Sequence, residues 1–135
     1  YSWVGEEENE EVYFCKCPGP AEDVTEWLIE KHVKWAGMDA PSFEHPLNTA
    51  IRDYRPDLVK EFEQLMGVKS IEEILPRESM LHAHRRMMAK NLMHVDNIGG
   101  DIKKVLNKRV TVGAFPWNFY RGEASICRVV VFEED

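Results

Sequence analysis

The chain has no apolar run approaching the roughly 18 residues that a membrane-spanning helix needs, so a span is not expected. Basic side chains are in deficit: 17 Lys and Arg face 24 Asp and Glu, for a net charge of -7. Such a surface is poorly equipped to neutralise phosphates, and no nucleic-acid partner is expected. Cysteine is scarce and odd in number, three residues in all, which argues against a disulfide framework and for a reducing, cytoplasmic setting. A Gly-x-Ser-x-Gly elbow is lacking, and Gly99-Gly100 is not followed by the Lys-Ser or Lys-Thr of a Walker loop, so serine-nucleophile and nucleotide chemistry gain little support. The sequence opens on Tyr1 rather than Met, without the basic start or apolar stretch of a targeting peptide, and reads as an excerpt or subunit of something longer. Tyr1 also lacks the hydroxyl or thiol chemistry of an N-terminal nucleophile hydrolase, which exposes Thr, Ser or Cys.

What is present is globular: 44% hydrophobic and 30% charged residues in a length that suits one domain, spanning 1–135. The acidic run Glu6 to Glu11 reads as a solvated loop, because closely spaced like charges resist packing. Glu11 to Cys15, rich in Val and aromatic residues, reads as a strand that stops at Cys17-Pro18-Gly19-Pro20. A helix from Ala21 follows, with Val24, Trp27 and Leu28 on one face, then a strand over Val33 to Met38 and a loop at Asp39-Ala40-Pro41-Ser42. Between His45 and Pro76 the convincing element is a helix from Pro56 to the stop at Gly67. Further on come a helix near Ser79 to Lys90, a strand over Leu92 to Ile98, a short helix capped by Asp101, and strands at Arg109 to Ala114 and Ile126 to Phe132. Strand, helix and strand with short joints predict an α/β layer.

Five histidines raise the question of a metal. His32 falls near a helix end, where positive charge is tolerated. His45 is loop-borne and open to either reading. His82 and His84, two apart, point about 200° apart on a helix and do not bind one ion together. His94 and Asp96 share one face of an extended strand, where a histidine and a carboxylate are costly to bury unless paired with each other or bound to metal. Cys15 and Cys17 share a strand face in this reading, but a structural zinc wants four ligands, and Cys127 reads as a packed core thiol. Phe115, Trp117 and Phe119 read either as the lining of an aromatic-friendly pocket or as ordinary core or interface.

Several motifs in order resemble one family. His84-Arg85-Arg86-Met87-Met88, Val95-Asp96-Asn97-Ile98-Gly99-Gly100, Gly113-Ala114-Phe115-Pro116 and Cys127-Arg128-Val129-Val130 are similar to the C-terminal part of the metal-dependent cyclase family, which includes kynurenine formamidase and isatin hydrolase. Upstream, Pro18-Gly19-Pro20, Glu26 to Glu30, and Val33 through Ser42 to His45-Pro46-Leu47 resemble that family's helix, strand and Asp-x-Pro-Ser loop.

The resemblance implies a swivelling β/β/α fold and an amidohydrolase that opens an amide or a cyclic imide or lactam with water activated by a divalent metal, Mn or Zn. It places His84 and, twelve residues later, Asp96 in the metal site as catalytic and ligating residues, with Asp96 where the family carries glutamate. Asp96 is then either a ligand or the acceptor that orients a histidine, and His82 and His94 are lesser candidates. The family's His-x-Gly-Thr-His-x-Asp segment does not occur in this sequence. Two ligands fall short of the three or so protein donors that a catalytic metal needs. The expectation is therefore a heteromeric hydrolase in which a second protein chain carrying that half docks on this one. The alternative is a non-catalytic companion subunit that stabilises a cyclase-like partner.

Overall fold

The computed structural model describes residues 9–133, so the reading of Tyr1 lies outside the described residues. The first element corrects an expectation: Glu10–Cys15 is a helix, α1, not a strand. Asn9 decides it, because its side chain accepts the backbone N–H of Val12 at 3.1 Å and caps the helix, while Glu10 and Glu11 favour the positive end of its dipole. Those two glutamates thus belong to a helix rather than to a solvated loop; Glu6 to Glu8 lie outside the described residues. Cys15 is consequently helical and shares no strand face with Cys17, which is buried and whose thiol burial pushes up to about 11.

Helix α2 (Glu22–Glu30) packs on α5 (His82–Ala89) with Thr25 buried, while Val24 and Trp27, expected on the packed face with Leu28, are exposed. Glu26, expected to face elsewhere, turns to α5, where Arg86 donates to both its oxygens at 2.6 and 2.7 Å. Leu28 and Ile29 join Val33, Ala36 and Met38 around the buried cluster of Phe43, Ala83, Met87 and Leu92. Strand β1 (Trp35–Gly37) lies parallel to β2 (Met93–Val95), with Ala36 opposite His94. Parallel pairing demands a long crossover, and residues 38–92 supply it. The loops leaving the two strands stay tied: Asn97 N–H donates to Ala40 O at 2.9 Å and Ile98 N–H to Met38 O at 3.0 Å.

The crossover carries more structure than its composition predicts. A 3-10 turn at Pro46–Asn48, α3 (Ile51–Tyr54), α4 (Pro56–Met66) and a 3-10 turn at Ile71–Glu73 close over Leu47, Leu58 and Ile71. Helix α4 follows the sequence signals, with proline in its first turn and Gly67 past its end at φ 68, where side chains other than glycine are strained. A Cβ at Gly67 meets nothing within 4 Å, so the cost of Gly67→Ala is conformational alone. It is expected at about 1 kcal/mol by urea unfolding.

Strands β3 (Thr111–Pro116) and β4 (Cys127–Phe132) form a separate antiparallel pair, from Thr111 opposite Phe132 to Pro116 opposite Cys127. Phe115, Trp117, Phe119, Ile126 and Phe132 are all more than half exposed. Cys127 is therefore half-buried on an uncovered hairpin rather than a packed core thiol, and the three aromatics around Trp117 are surface groups rather than core. The turn at Gly100–Val105 is 3-10, its cap position is Gly99, and Asp101 sits inside it with non-helical backbone, pairing with Lys104 at 3.0 Å instead of capping. The architecture is α/β, helices with small sheets, and among the described residues no helix is long and apolar enough to cross a membrane.

Candidate metal centre

Strand β2 ends beside the N-terminal part of α5, and the site forms in that corner. His94 occupies the middle of β2 and Asp96 follows its end, so alternation sends both the same way; His94 Nε2 lies 3.4 Å from Asp96 Oδ2. His84 comes from α5, its ring edge-to-face with that of His94 at a centroid separation of 4.4 Å. One donor atom from each of His84, His94 and Asp96 falls within 4.8 Å of the others, and all three residues are half-buried. His84 and Asp96 are thus brought together, and His94, which the sequence ranked below them, joins them as a third donor.

The chemistry of the set suits a divalent cation. Two imidazoles and a carboxylate are donor types that zinc and manganese accept, and three protein donors leave room for water. Asp96 Oδ1 is a buried oxygen with no hydrogen-bond partner among the described residues. A buried carboxylate oxygen without a partner carries a desolvation cost that a cation would offset.

Glu44 was not visible as a candidate from sequence. Its side chain is only 2% exposed. Oε1 accepts the backbone N–H of His84 at 3.0 Å and lies 3.4 Å from His84 Nδ1, while Oε2 accepts from Asn48 Nδ2 at 3.3 Å. Burial pushes the Glu44 carboxyl up, but the hydrogen bonds from the His84 ring, the His84 backbone and Asn48 outweigh it and hold the group below the ordinary value. The hydrogen bond to Glu44 raises the His84 imidazole above its usual range; burial opposes this, and the charges of Glu44 and Asp96 add to it. The available signal was a carboxylate two residues past the Asp-x-Pro-Ser stretch, between Phe43 and His45-Pro46.

The remaining histidines stay outside the cluster. His82 faces α2, 3.7 Å from Glu22 and 3.5 Å from Glu26, as its angular separation from His84 requires. His45 accepts the backbone N–H of Leu47 at 3.2 Å, and burial lowers its imidazole below the usual value. His32 is exposed, at φ 52 just past the end of α2.

A family model described as "Putative cyclase" matches residues 2–45, less than half of the chain. The match supports a relationship to the cyclase family through the segment that holds α1, α2, β1 and Glu44. His84, His94 and Asp96 lie beyond it. Comparison with curated proteins and with solved structures gives no match.

Proposed function

We propose that this chain is part of a metal-dependent amidohydrolase of the cyclase type, acting on an amide or a cyclic imide or lactam. The carrying observation is the His84, His94 and Asp96 cluster, with a buried carboxylate oxygen that has no partner among the described residues. The family match over residues 2–45 supports the cyclase assignment. His84 and His94 would hold the cation as neutral imidazoles and Asp96 as a carboxylate. Held by these residues, a divalent ion would supply Lewis-acid polarisation of a carbonyl and a water made more acidic. Asp96 is close enough to His94 to serve also as the acceptor that orients that ring.

Docking of a segment that carries His-x-Gly-Thr-His-x-Asp belongs to the same proposal. The uncovered Phe115, Trp117, Ile126 and Phe132 of the hairpin support it, because clustered exposed apolar groups mark contact surfaces. The whole, in this reading, comprises one cyclase-like domain with the swivelling β/β/α arrangement, assembled as a hetero-oligomer.

The test compares metal content and amide hydrolysis in the intact protein for wild type, His84→Ala, Asp96→Asn and the control His32→Ala. The first two variants are expected to lose metal and activity, and the control to keep both. Full metal occupancy and activity in His84→Ala and Asp96→Asn would overturn the assignment in favour of a companion subunit.

A further inference from the structure

Helix α5 begins badly by local rules. Its cap position is Leu81, a residue with no side-chain acceptor, held at φ 57. The backbone N–H of His84, in the first turn, therefore has no local cap. The acceptor arrives from forty residues upstream: Glu44 Oε1 takes that N–H at 3.0 Å and stands 3.4 Å from Nδ1 of the same residue. One carboxylate oxygen thus grips both the main chain and the ring of His84.

The grip is expensive to place and so calls for an explanation. Glu44 is nearly fully buried, and among the described residues its ion-pair partner is the His84 imidazole, with no lysine or arginine alongside. A buried carboxylate without a strong cation persists only where its hydrogen bonds are all made. Here both oxygens are engaged, the second by Asn48, whose amide also donates to Ser79 O at 3.0 Å and is thereby fixed from the far side. Glu44 is thus held against Nδ1 of His84, and Nε2 is the nitrogen it leaves open. When a carboxylate accepts Nδ1–H, the lone pair is left on Nε2, and that nitrogen is the more basic for it.

We propose that Glu44 is a positioning residue for the cluster: its buried carboxylate fixes His84 as the Nδ1–H form, with Nε2 free to bind a divalent cation beside His94 and Asp96. The proposal rests on the metal reading of those three residues. It adds that the segment matched by the cyclase family model, which ends at Glu44 and His45, acts on the cluster lying outside it.

Two measurements on the intact protein test it. Long-range proton–nitrogen NMR of the metal-free protein at pH 8 reads the tautomer of His84 directly, and the Nδ1–H form is expected. Competition titration with Zn²⁺ reads affinity for wild type, Glu44→Gln and the control Glu22→Gln, which alters a carboxylate beside the outlying His82. Glu44→Gln is expected to bind Zn²⁺ about 10- to 100-fold more weakly, while Glu22→Gln matches wild type. A His84 in the Nε2–H form, or unchanged affinity in Glu44→Gln, overturns the positioning role while the metal centre stands. A wild-type protein that binds no Zn²⁺ overturns the metal reading itself. If Glu44→Gln does not fold, the wild-type tautomer still decides.

Discussion

Arg52→Ala is expected to destabilise the protein by about 2–6 kcal/mol, read as a lower urea midpoint with little change in slope. The side chain is 2% exposed, and its guanidinium joins the turn at Pro46–Asn48 to the segment around Glu72 and Leu75. Nε donates to Leu47 O at 2.6 Å, Nη2 to Leu75 O at 3.0 Å and to Asn48 Oδ1 at 3.5 Å, and Nη1 to Glu72 Oε1 at 3.3 Å. Removing it strands two carbonyls in a poorly hydrated place, and each unmade hydrogen bond costs about 1–3 kcal/mol. Arg52→Lys keeps the charge but cannot reproduce a planar fork aimed at several acceptors, so it should recover only part of the loss. A cost below about 1 kcal/mol for Arg52→Ala would show that the crossover is held by its apolar contacts alone. Because Asn48 is shared between Arg52 and Glu44, the alanine variant is also expected to loosen Glu44.

Arg52 also explains why residues 45–76 were the hardest part to read. Their short turns are specified by a buried cation whose acceptors lie five and 23 residues away, and no local pattern announces that. Helices α2 and α4 were legible because periodicity and, for α4, proline and glycine punctuation act within the element itself. The α1 segment misled for the opposite reason: Val12, Tyr13 and Phe14 favour strands by propensity, while the hydrogen bond that Asn9 accepts from the Val12 N–H, and the lack of a sheet partner among the described residues, favour helix. In the site, the spacing of His84 and Asp96 and the alternation of His94 with Asp96 were readable from one stretch of chain. Glu44 was not, since its role exists only once the crossover folds back over forty residues.

Gly19→Ala is expected to damage fold and site together. A Cβ at residue 19 would lie 2.0 Å from His45 N and 2.5 Å from Glu44 C, both backbone atoms, against the ~3.5 Å of ordinary carbon contact. A flexible side-chain tip could move aside, but here the whole Cys17 to Pro20 turn or the Glu44–His45 peptide must shift. Overpacking of this kind costs about 1–3 kcal/mol and occasionally more. The shift falls on the peptide that carries Glu44, so the carboxylate should leave its place on His84 and Zn²⁺ affinity should fall along with stability. Gly67→Ala is the matched comparison, because it strains a backbone angle where a Cβ meets nothing and should lower stability while leaving Zn²⁺ affinity unchanged. Urea unfolding and Zn²⁺ titration of the two variants side by side separate the effects. If Gly19→Ala lost stability as Gly67→Ala does but kept wild-type affinity, the turn would support the fold without setting the position of Glu44; if it lost neither, the close approach of the two segments would be refuted.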